Sequence, residues 1–278
     1  MLLDIQHLSK IYGESCGDCL ERTGDERGRA ICPGCQSVVA VNRVNLQVEK
    51  DEVLGIVGES GSGKSTLLQL LYRDIEATSG RIFFQDMLDS DGLPVDILKL
   101  NLLETTMMRN KLMSMIYQNP RQGLNFLFSA GGNIAEKIIG AGERHFETIR
   151  SRALHFIDKI ELPTSRIDDY PETFSGGQQQ RIQIAKALSS SPRLLMLDEP
   201  TTGLDVSVQA KILDMIKMLQ QEMSFSMVVV SHDLGVIRHL TDITVVMRHG
   251  SIVEYGLTDQ ILEDPQHGYT QLLVSSIL

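Results

Sequence analysis

The sequence predicts an α/β fold with a buried parallel sheet and phosphate-binding sites at strand and helix ends. Three stretches carry that prediction: "VLGIVGESGSGKSTLLQLLYR", "SPRLLMLDEPTTGLDVSVQA" and "YPETFSGGQQQRIQIAKAL". The first two place polar chemistry at the C-terminal end of a short apolar run, where parallel sheets bind ligands. The third opens a helix with Ser-Gly-Gly and so exposes backbone N–H groups to an anion.

In the first stretch, Val53 to Val57 read as a strand buried on both faces. Leu67, Leu68, Leu70 and Leu71 give the following segment a helical apolar stripe. Between them Gly58, Glu59, Ser60, Gly61, Ser62, Gly63, Lys64 and Ser65 spell GxxxxGKS. The glycines let successive N–H groups wrap a phosphate at the N-terminus of the helix. Lys64 is placed to reach the β- and γ-phosphates and Ser65 to ligate Mg²⁺, and Thr66 extends the nucleotide-contacting run.

Leu194 to Leu197 read as a second buried strand ending in Asp198 and Glu199. Asp198 suits an acid that supports Mg²⁺ through water, and Glu199 a base that polarises the attacking water. Alone, such a pair also reads as a solvated turn or a helix cap. Beside Lys64 and Ser65 the metal-and-base reading is preferred. Ser175, Gly176 and Gly177 then form a second phosphate-binding helix end in the same chain. Either an unrelated ligand binds there, or that end serves a neighbouring chain.

The formal net charge of −10 argues against nonspecific binding to nucleic acid or anionic lipid. "MLLDIQHLSK" alternates like a strand and lacks the apolar core of a signal peptide. No apolar run approaches the ~18 residues of a membrane span. A cytoplasmic location follows as the expectation, with any membrane role exercised through a partner.

In chain order these motifs resemble those of the ABC-type ATPases. The match runs through Gly58 to Ser65, Gln118 in "MIYQNP", "FSGGQ" ending at Gln178, and "LLMLDE". It continues with "GLD" ending at Asp205 and "VVVSHDL" with His232. The resemblance implies ATP and Mg²⁺ as ligands and a head-to-tail dimer with two ATP molecules at its interface. Each nucleotide would lie between Lys64 of one chain and Ser175, Gly176 and Gly177 of the other. It also implies that Gln118 reaches metal and water, and that His232 bonds the γ-phosphate and Glu199. Tyr12 falls where the family stacks a ring on adenine, although a half-buried strand tyrosine reads equally well there. Phe174 stands where leucine is more usual.

Within the family, "FSAGGNIAEKIIGAGERHFETIR", "RIDDYPETFSGG" and the closing "GLTDQILEDPQHGYTQLLVSSIL" are similar to the ATPase subunits of carbon–phosphorus lyase systems. Those systems break down phosphonates. The ATPases of oligopeptide importers are similar too, less closely. Importers usually read "LNP" after the Q-loop glutamine, whereas this chain has "GLNFLFSAGGNI". That region contacts the membrane subunit in transporters, so the departure implies a different partner, a soluble enzyme complex.

Residues 14–38 stand outside the family pattern and interrupt the first two predicted strands. They hold Cys16, Cys19, Cys32 and Cys35 as C-x2-C-x12-C-x2-C. Two such turns can supply four thiolates to a tetrahedral structural Zn²⁺. Disulfides, a redox pair and an iron–sulfur cluster are the alternatives; matched pairs in a cytoplasmic chain favour zinc. The polar stretch between the pairs cannot bury enough apolar surface to fold alone, so metal would order it.

The expected organisation is one ABC ATPase domain over residues 1–278, with the insert at 14–38 and a helical lobe at 97–188. "GRIFFQDMLDSDGLP" is expected to form a hairpin of an antiparallel β lobe. "ITVVMRHGSIVEYG" should form a second, turning at His249 and Gly250. A helical tail follows Asp259. Three functional readings result: an ATPase serving carbon–phosphorus lyase enzymes, the energising subunit of a peptide, nickel or phosphonate importer, and an ATP-dependent clamp or assembly factor.

Overall fold

The computed structural model describes residues 1–276 of the 278-residue chain. Ile277 and Leu278, the end of the expected helical tail, lie outside the described residues. The chain divides into two compact units, Met1–Asn101 with Val228–Leu278, and Leu102–Met227.

The first unit begins with β1 (Leu3–Tyr12), β2 (Val38–Val48), β3 (Val53–Val57), α1 (Lys64–Leu71), β4 (Ser79–Leu88) and β5 (Pro94–Asp96). The second holds α2 (Leu102–Lys111), β6 (Met113–Ile116), α3 (Pro120–Gly123), α4 (Ala130–Gly140), α5 (Phe146–Lys159), α6 (Gly176–Leu188), β7 (Leu194–Asp198) and α7 (Val206–Met223). The chain returns to the first unit within β8 (Ser226–Val230). It continues through α8 (Leu234–Leu240), β9 (Ile243–Arg248), β10 (Ser251–Leu257), α9 (Thr258–Glu263) and α10 (Gly268–Ser275).

The first unit contains an antiparallel sheet of order β2-β1-β4-β5. Leu3 pairs with Val48 at one end of the β1–β2 ladder and Tyr12 with Val38 at the other. The cysteine segment is therefore the connection of a β-hairpin, whose ladder shifts register between Ile5 and Ile11. Leu3, Ile5, Leu8, Ile82 and Phe84 are buried, as the alternation along these strands requires. β4 and β5 form the hairpin expected from "GRIFFQDMLDSDGLP", with Phe84 opposite Val95.

A second set of strands follows the buried-run pattern. All five residues of β3 and of β8 are buried, and β3 pairs in parallel with β9 from Leu54–Ile243 to Val57–Val246. β9 turns into antiparallel β10 through His249 (φ 48°) and Gly250 (φ 80°), the two left-handed residues of a type I′ hairpin. That turn is where the sequence places it.

In the second unit β6 and β7 pair in parallel, Met113 with Leu194 and Ile116 with Leu197. The segment near 97–188, expected to be mostly helical, thus also holds a strand. "MSMI" is four residues long, carries methionines that suit either state, and follows a helix without a glycine or proline break. Neither periodicity nor punctuation marks it. Pairing with β7 decides it.

Around these strands the helices bury amphipathic faces, and one buried amide organises the turn before α4. Asn133 is fully buried; its Oδ1 accepts from Asn125 N–H at 2.7 Å. Its Nδ2 donates to the carbonyls of Asn125, Phe128 and Ser129 at 2.9, 3.2 and 3.1 Å. Asn133→Ala leaves those backbone groups unpaired and should lower unfolding free energy by about 2–3 kcal/mol. Urea titration followed by circular dichroism measures this. A loss below about 0.5 kcal/mol, the range of neutral surface changes, would show that the turn stands without the amide.

Candidate functional site

In the first unit β3 delivers the chain into the glycine-rich loop and α1 carries it away. Lys64 is the first residue of α1, only 7% exposed, and its Nζ donates to the Gly58 and Glu59 carbonyls at 2.7 and 2.9 Å. The ammonium thus lies inside the curve of the loop. Gly63 caps α1 at φ 106°, and a Cβ there would stand 2.1 Å from the Ala40 carbonyl oxygen. Only glycine combines that left-handed backbone with so close an approach of β2. It also brings no capping side chain to compete with a phosphate for the helix N–H groups. Ser65 is exposed and Thr66 half-buried in the first turn of α1.

The outer side of the loop is tied down by groups the sequence did not single out. Glu59 N–H donates to the Tyr269 hydroxyl at 2.8 Å, and Gly250 N–H donates to the Ser62 carbonyl at 3.0 Å. No spacing rule points to Tyr269. Gly250 was read as a turn residue only. Tyr12 ends β1 with its ring 42% exposed and the Lys10 ammonium 5.0 Å from the ring centre. His232 follows β8 and precedes Asp233, whose carboxylate caps α8 by accepting from Gly235 N–H at 2.8 Å.

The remaining predicted residues fall in the second unit. Asp198 closes β7 and Glu199 follows at φ 50°, a left-handed conformation that costs a non-glycine residue about 1 kcal/mol or more. The Thr202 hydroxyl donates to Glu199 Oε2 at 3.2 Å and holds the carboxylate in one orientation. Gln118 follows Tyr117, whose N–H and C=O are both taken by the Gln183 side chain, at 2.8 and 3.1 Å. Gln183 is buried on α6, the helix that begins with the Ser-Gly-Gly motif. Its signal was a polar residue between Ile182 and Ile184 in a buried stretch.

Ser175 caps α6 in a capping box. Its hydroxyl accepts from Gln178 N–H at 3.4 Å while Gln178 Oε1 accepts from Ser175 N–H at 3.1 Å. Phe174, buried before it, lies beneath the Arg166 guanidinium at 3.9 Å, which explains an aromatic ring at this position. Ser175, Gly176, Gly177, Gln178 and Asp205 line one cleft of about 460 Å³ together with Arg181. The structure therefore brings the helix-end motif and Asp205 together within the second unit, as it brings Gly58 to Thr66 together in the first.

Residues 41–202 match the family of ABC transporters. The chain belongs to that family. It is an ABC ATP-binding cassette, an ATPase, in line with the resemblance read from its motifs. It is 46% identical over 240 residues to the putative phosphonates utilization ATP-binding protein PhnK of Escherichia coli (strain K12), covering 84% of this chain and 90% of PhnK. It is 38% identical over 241 residues to the oligopeptide transport ATP-binding protein OppF of Lactococcus lactis subsp. lactis (strain IL1403), covering 87% of this chain and 73% of OppF. The chain spans only 40% of the glutathione import ATP-binding protein GsiA of Salmonella typhimurium, to which it is 39% identical. A solved dimer of the ATP-binding cassette MJ0796, bound to ADP and Pi, superposes with TM-score 0.75 at 27% identity over 92% of this chain and 99% of that one.

The cassette's four cysteines precede the matched residues. Their sulfurs lie within 4.8 Å of one another, with Cys16–Cys19 at 3.6 Å, Cys16–Cys32 at 3.7 Å and Cys19–Cys35 at 3.3 Å. Four sulfurs about 2.3 Å from a tetrahedral zinc are separated by about 3.8 Å, so the cluster suits such an ion. All four are unbridged thiols. Hydrogen bonding from Ser37 draws the Cys35 thiol down to about 6. The Asp18 backbone favours the Cys16 thiolate, yet the neighbouring sulfurs outweigh it and push Cys16 up to about 11. The Cys16 thiol thus resists ionising beside its neighbours, and a divalent cation would remove that resistance. Among the described residues of this cassette no helix is long and apolar enough to cross a membrane.

Proposed function

We propose that the protein hydrolyses ATP in a cytoplasmic head-to-tail dimer that serves a soluble carbon–phosphorus lyase complex. The observation that carries the reading is its 46% identity to a phosphonates utilization ATP-binding protein across most of both chains. The segment Asn125 to Ile134 supports a partner other than a permease. There Leu127 is 83% and Phe128 46% exposed, and Phe126 rests against Arg121 with the guanidinium 4.6 Å from the ring centre. The similarity to OppF favours a second reading, the energising subunit of an importer. The clamp or assembly-factor reading differs from both in needing ATP binding more than turnover.

In this mechanism the loop Gly58 to Thr66 binds the phosphates through its N–H groups, with Lys64 on the β- and γ-phosphates and Tyr12 on adenine. Ser65, Asp198 and Gln118 supply hard oxygen donors of the kind Mg²⁺ takes. Mg²⁺ held there would supply positive charge to the phosphates. Glu199 orients a water and accepts its proton as the water oxygen attacks the γ-phosphorus. The bond to the bridging oxygen breaks, leaving ADP and phosphate. His232 bonds the γ-phosphate and Glu199, which a neutral imidazole does with one donor and one acceptor. Ser175, Gly176, Gly177 and Gln178 of the second protomer, with its Asp205, close over the nucleotide. Cys16, Cys19, Cys32 and Cys35 would hold a structural Zn²⁺ that orders the insert and takes no part in the chemistry.

Three experiments test this. Glu199→Gln should reduce phosphate release by about 10²–10⁴-fold, the worth of a general base, and retain ATP in a dimer visible by size-exclusion chromatography with Mg-ATP. Hydrolysis at the wild-type rate would remove Glu199 from its role. Charged substitutions at Phe126 and Phe128 should abolish growth on phosphonate while basal ATPase activity persists. Recovery of the tagged protein chiefly with membrane permeases would favour the importer reading instead. Elemental analysis of protein purified without added metal should find about one zinc per chain. Replacing Cys32 and Cys35 with serine should release it; iron with visible charge-transfer absorption, or four titratable thiols without metal, contradicts the zinc assignment.

A further inference from the structure

The cysteine insert reaches the phosphate loop by two hydrogen-bonded routes, both inside the first unit. The first starts at Asp25, in the turn between the two cysteine pairs. Asp25 Oδ1 lies 3.3 Å from Arg248 Nη1 and Oδ2 lies 3.4 Å from His267 Nε2. Both partners hold Tyr269. The Arg248 guanidinium stands 4.7 Å from the centre of its ring, and His267 Nδ1 accepts from its backbone N–H at 3.2 Å. Because Nδ1 accepts, the neutral imidazole carries its proton on Nε2, directed at Asp25. Glu254 fixes the same turn, its carboxylate accepting from Gln266 and His267 N–H at 2.7 and 3.1 Å. Tyr269 is 4% exposed, and its hydroxyl receives the Glu59 N–H of the phosphate loop at 2.8 Å.

The second route runs through Asn42 on β2. Its Nδ2 donates to the Leu20 and Thr23 carbonyls of the insert at 3.0 and 3.2 Å. Its backbone N–H donates to the Gly250 carbonyl at 2.8 Å, and Gly250 N–H donates to the Ser62 carbonyl at 3.0 Å. The two routes end on Glu59 and Ser62, on either side of Gly61. Inside the insert, Thr23 Oγ1 donates to the Cys19 carbonyl at 2.8 Å, which joins the cysteine pair to both routes. The apolar support there is small: Cys19, Cys32 and Val39, with Ile11 and Leu20 packed against them. The order of Asp25 and Thr23 therefore depends on how the sulfurs are held.

We propose that Asp25 and Asn42 are positioning residues for ATP binding, through which metal held by the four cysteines sets the shape of the phosphate loop. Nucleotide affinity then rises with metal loading, while the rate of the chemical step does not. The inference rests on the ATP and four-thiolate metal readings above, and goes beyond them by giving the insert a task. The linkage is reciprocal: bound ATP must tighten metal retention by the same factor.

The test uses the full chain, with KM and kcat for ATP and direct binding of a fluorescent ATP analogue. Asp25→Ala and Tyr269→Phe should each raise KM and the dissociation constant about three- to tenfold, the worth of one lost bond of this kind, with kcat within about twofold. Asp25→Asn keeps an acceptor for His267 and should fall between. Chelating the metal from wild-type protein should weaken binding by a similar factor, and chelation should add less in Asp25→Ala, which keeps only the route through Asn42. Conversely, saturating ATP should slow metal loss to a chelator more in wild type than in Asp25→Ala. A fall in kcat with unchanged KM, or equal sensitivity of both proteins to chelation, overturns the proposal. Wild-type protein that binds no ATP overturns the ATP reading and this inference with it. A native protein without metal in which Asp25→Ala still weakens ATP binding overturns the metal arm alone.

Discussion

A phosphate loop works only if its backbone N–H groups stay turned inward, and that depends on what grips its outer side. Here the grip comes from β2 and from the turn between β9 and β10. Gly63 can cap α1 because it lacks a Cβ where the Ala40 carbonyl approaches. Gly250 bridges Asn42 and Ser62 through its carbonyl and N–H. The Lys64 ammonium then draws the Gly58 and Glu59 carbonyls together from the inside. The type I′ turn at His249 and Gly250 is thus part of the nucleotide machinery in the proposed function, although it contributes no catalytic side chain.

In the second unit one helix does comparable organising. α6 starts at the capping box of Ser175 and Gln178, holds Tyr117 at its middle through Gln183, and takes the Gly123 carbonyl with Lys186 at 2.9 Å near its end. The backbone on both sides of Gln118 is therefore fixed by the helix whose N-terminus is proposed to meet the γ-phosphate in a dimer. A displacement of α6 would reach both places together. The turn from Asn125 to Ser129, held by Asn133, follows directly and presents Leu127 and Phe128 outward. In the proposed function, nucleotide-dependent movement of α6 would then be felt close to the turn proposed to meet the partner.

Much of this was legible from residue order. Strands β3 and β7 announced themselves through the short apolar runs Val53 to Val57 and Leu194 to Leu197, and Ser175 as the opening of a helical pattern. The hairpin turning at His249 and Gly250 followed from turn chemistry. What escaped is instructive in physical terms. β6 is only four residues, Met-Ser-Met-Ile, and its state is set by a neighbour 81 positions along, Leu194 opposite Met113. Gln183, Asn42 and Tyr269 act through one or two side-chain hydrogen bonds each to distant backbone groups, which leave no period and no spacing in the sequence. The four cysteines were visible by their spacing, as was their place between the first two strands, but not their bonds to the supports of the phosphate loop.

That placement bears on why an insert of this composition folds at all. Its buried apolar side chains are few, and its polar middle orders through one 3₁₀ turn at Asp25–Arg27 and bonds to Asn42, Arg248 and His267. Surface ion pairs of this kind contribute only about 0–1 kcal/mol each, too little to order some 25 residues. A cation binding four thiolates supplies far more, on the order of 10 kcal/mol for structural zinc sites. A metal held by the sulfurs would order the same loop that Asn42, Arg248 and His267 bond. In the proposed linkage, loosening the sulfurs would loosen Asp25, and Asp25 is shared by the two groups that hold Tyr269 against Glu59.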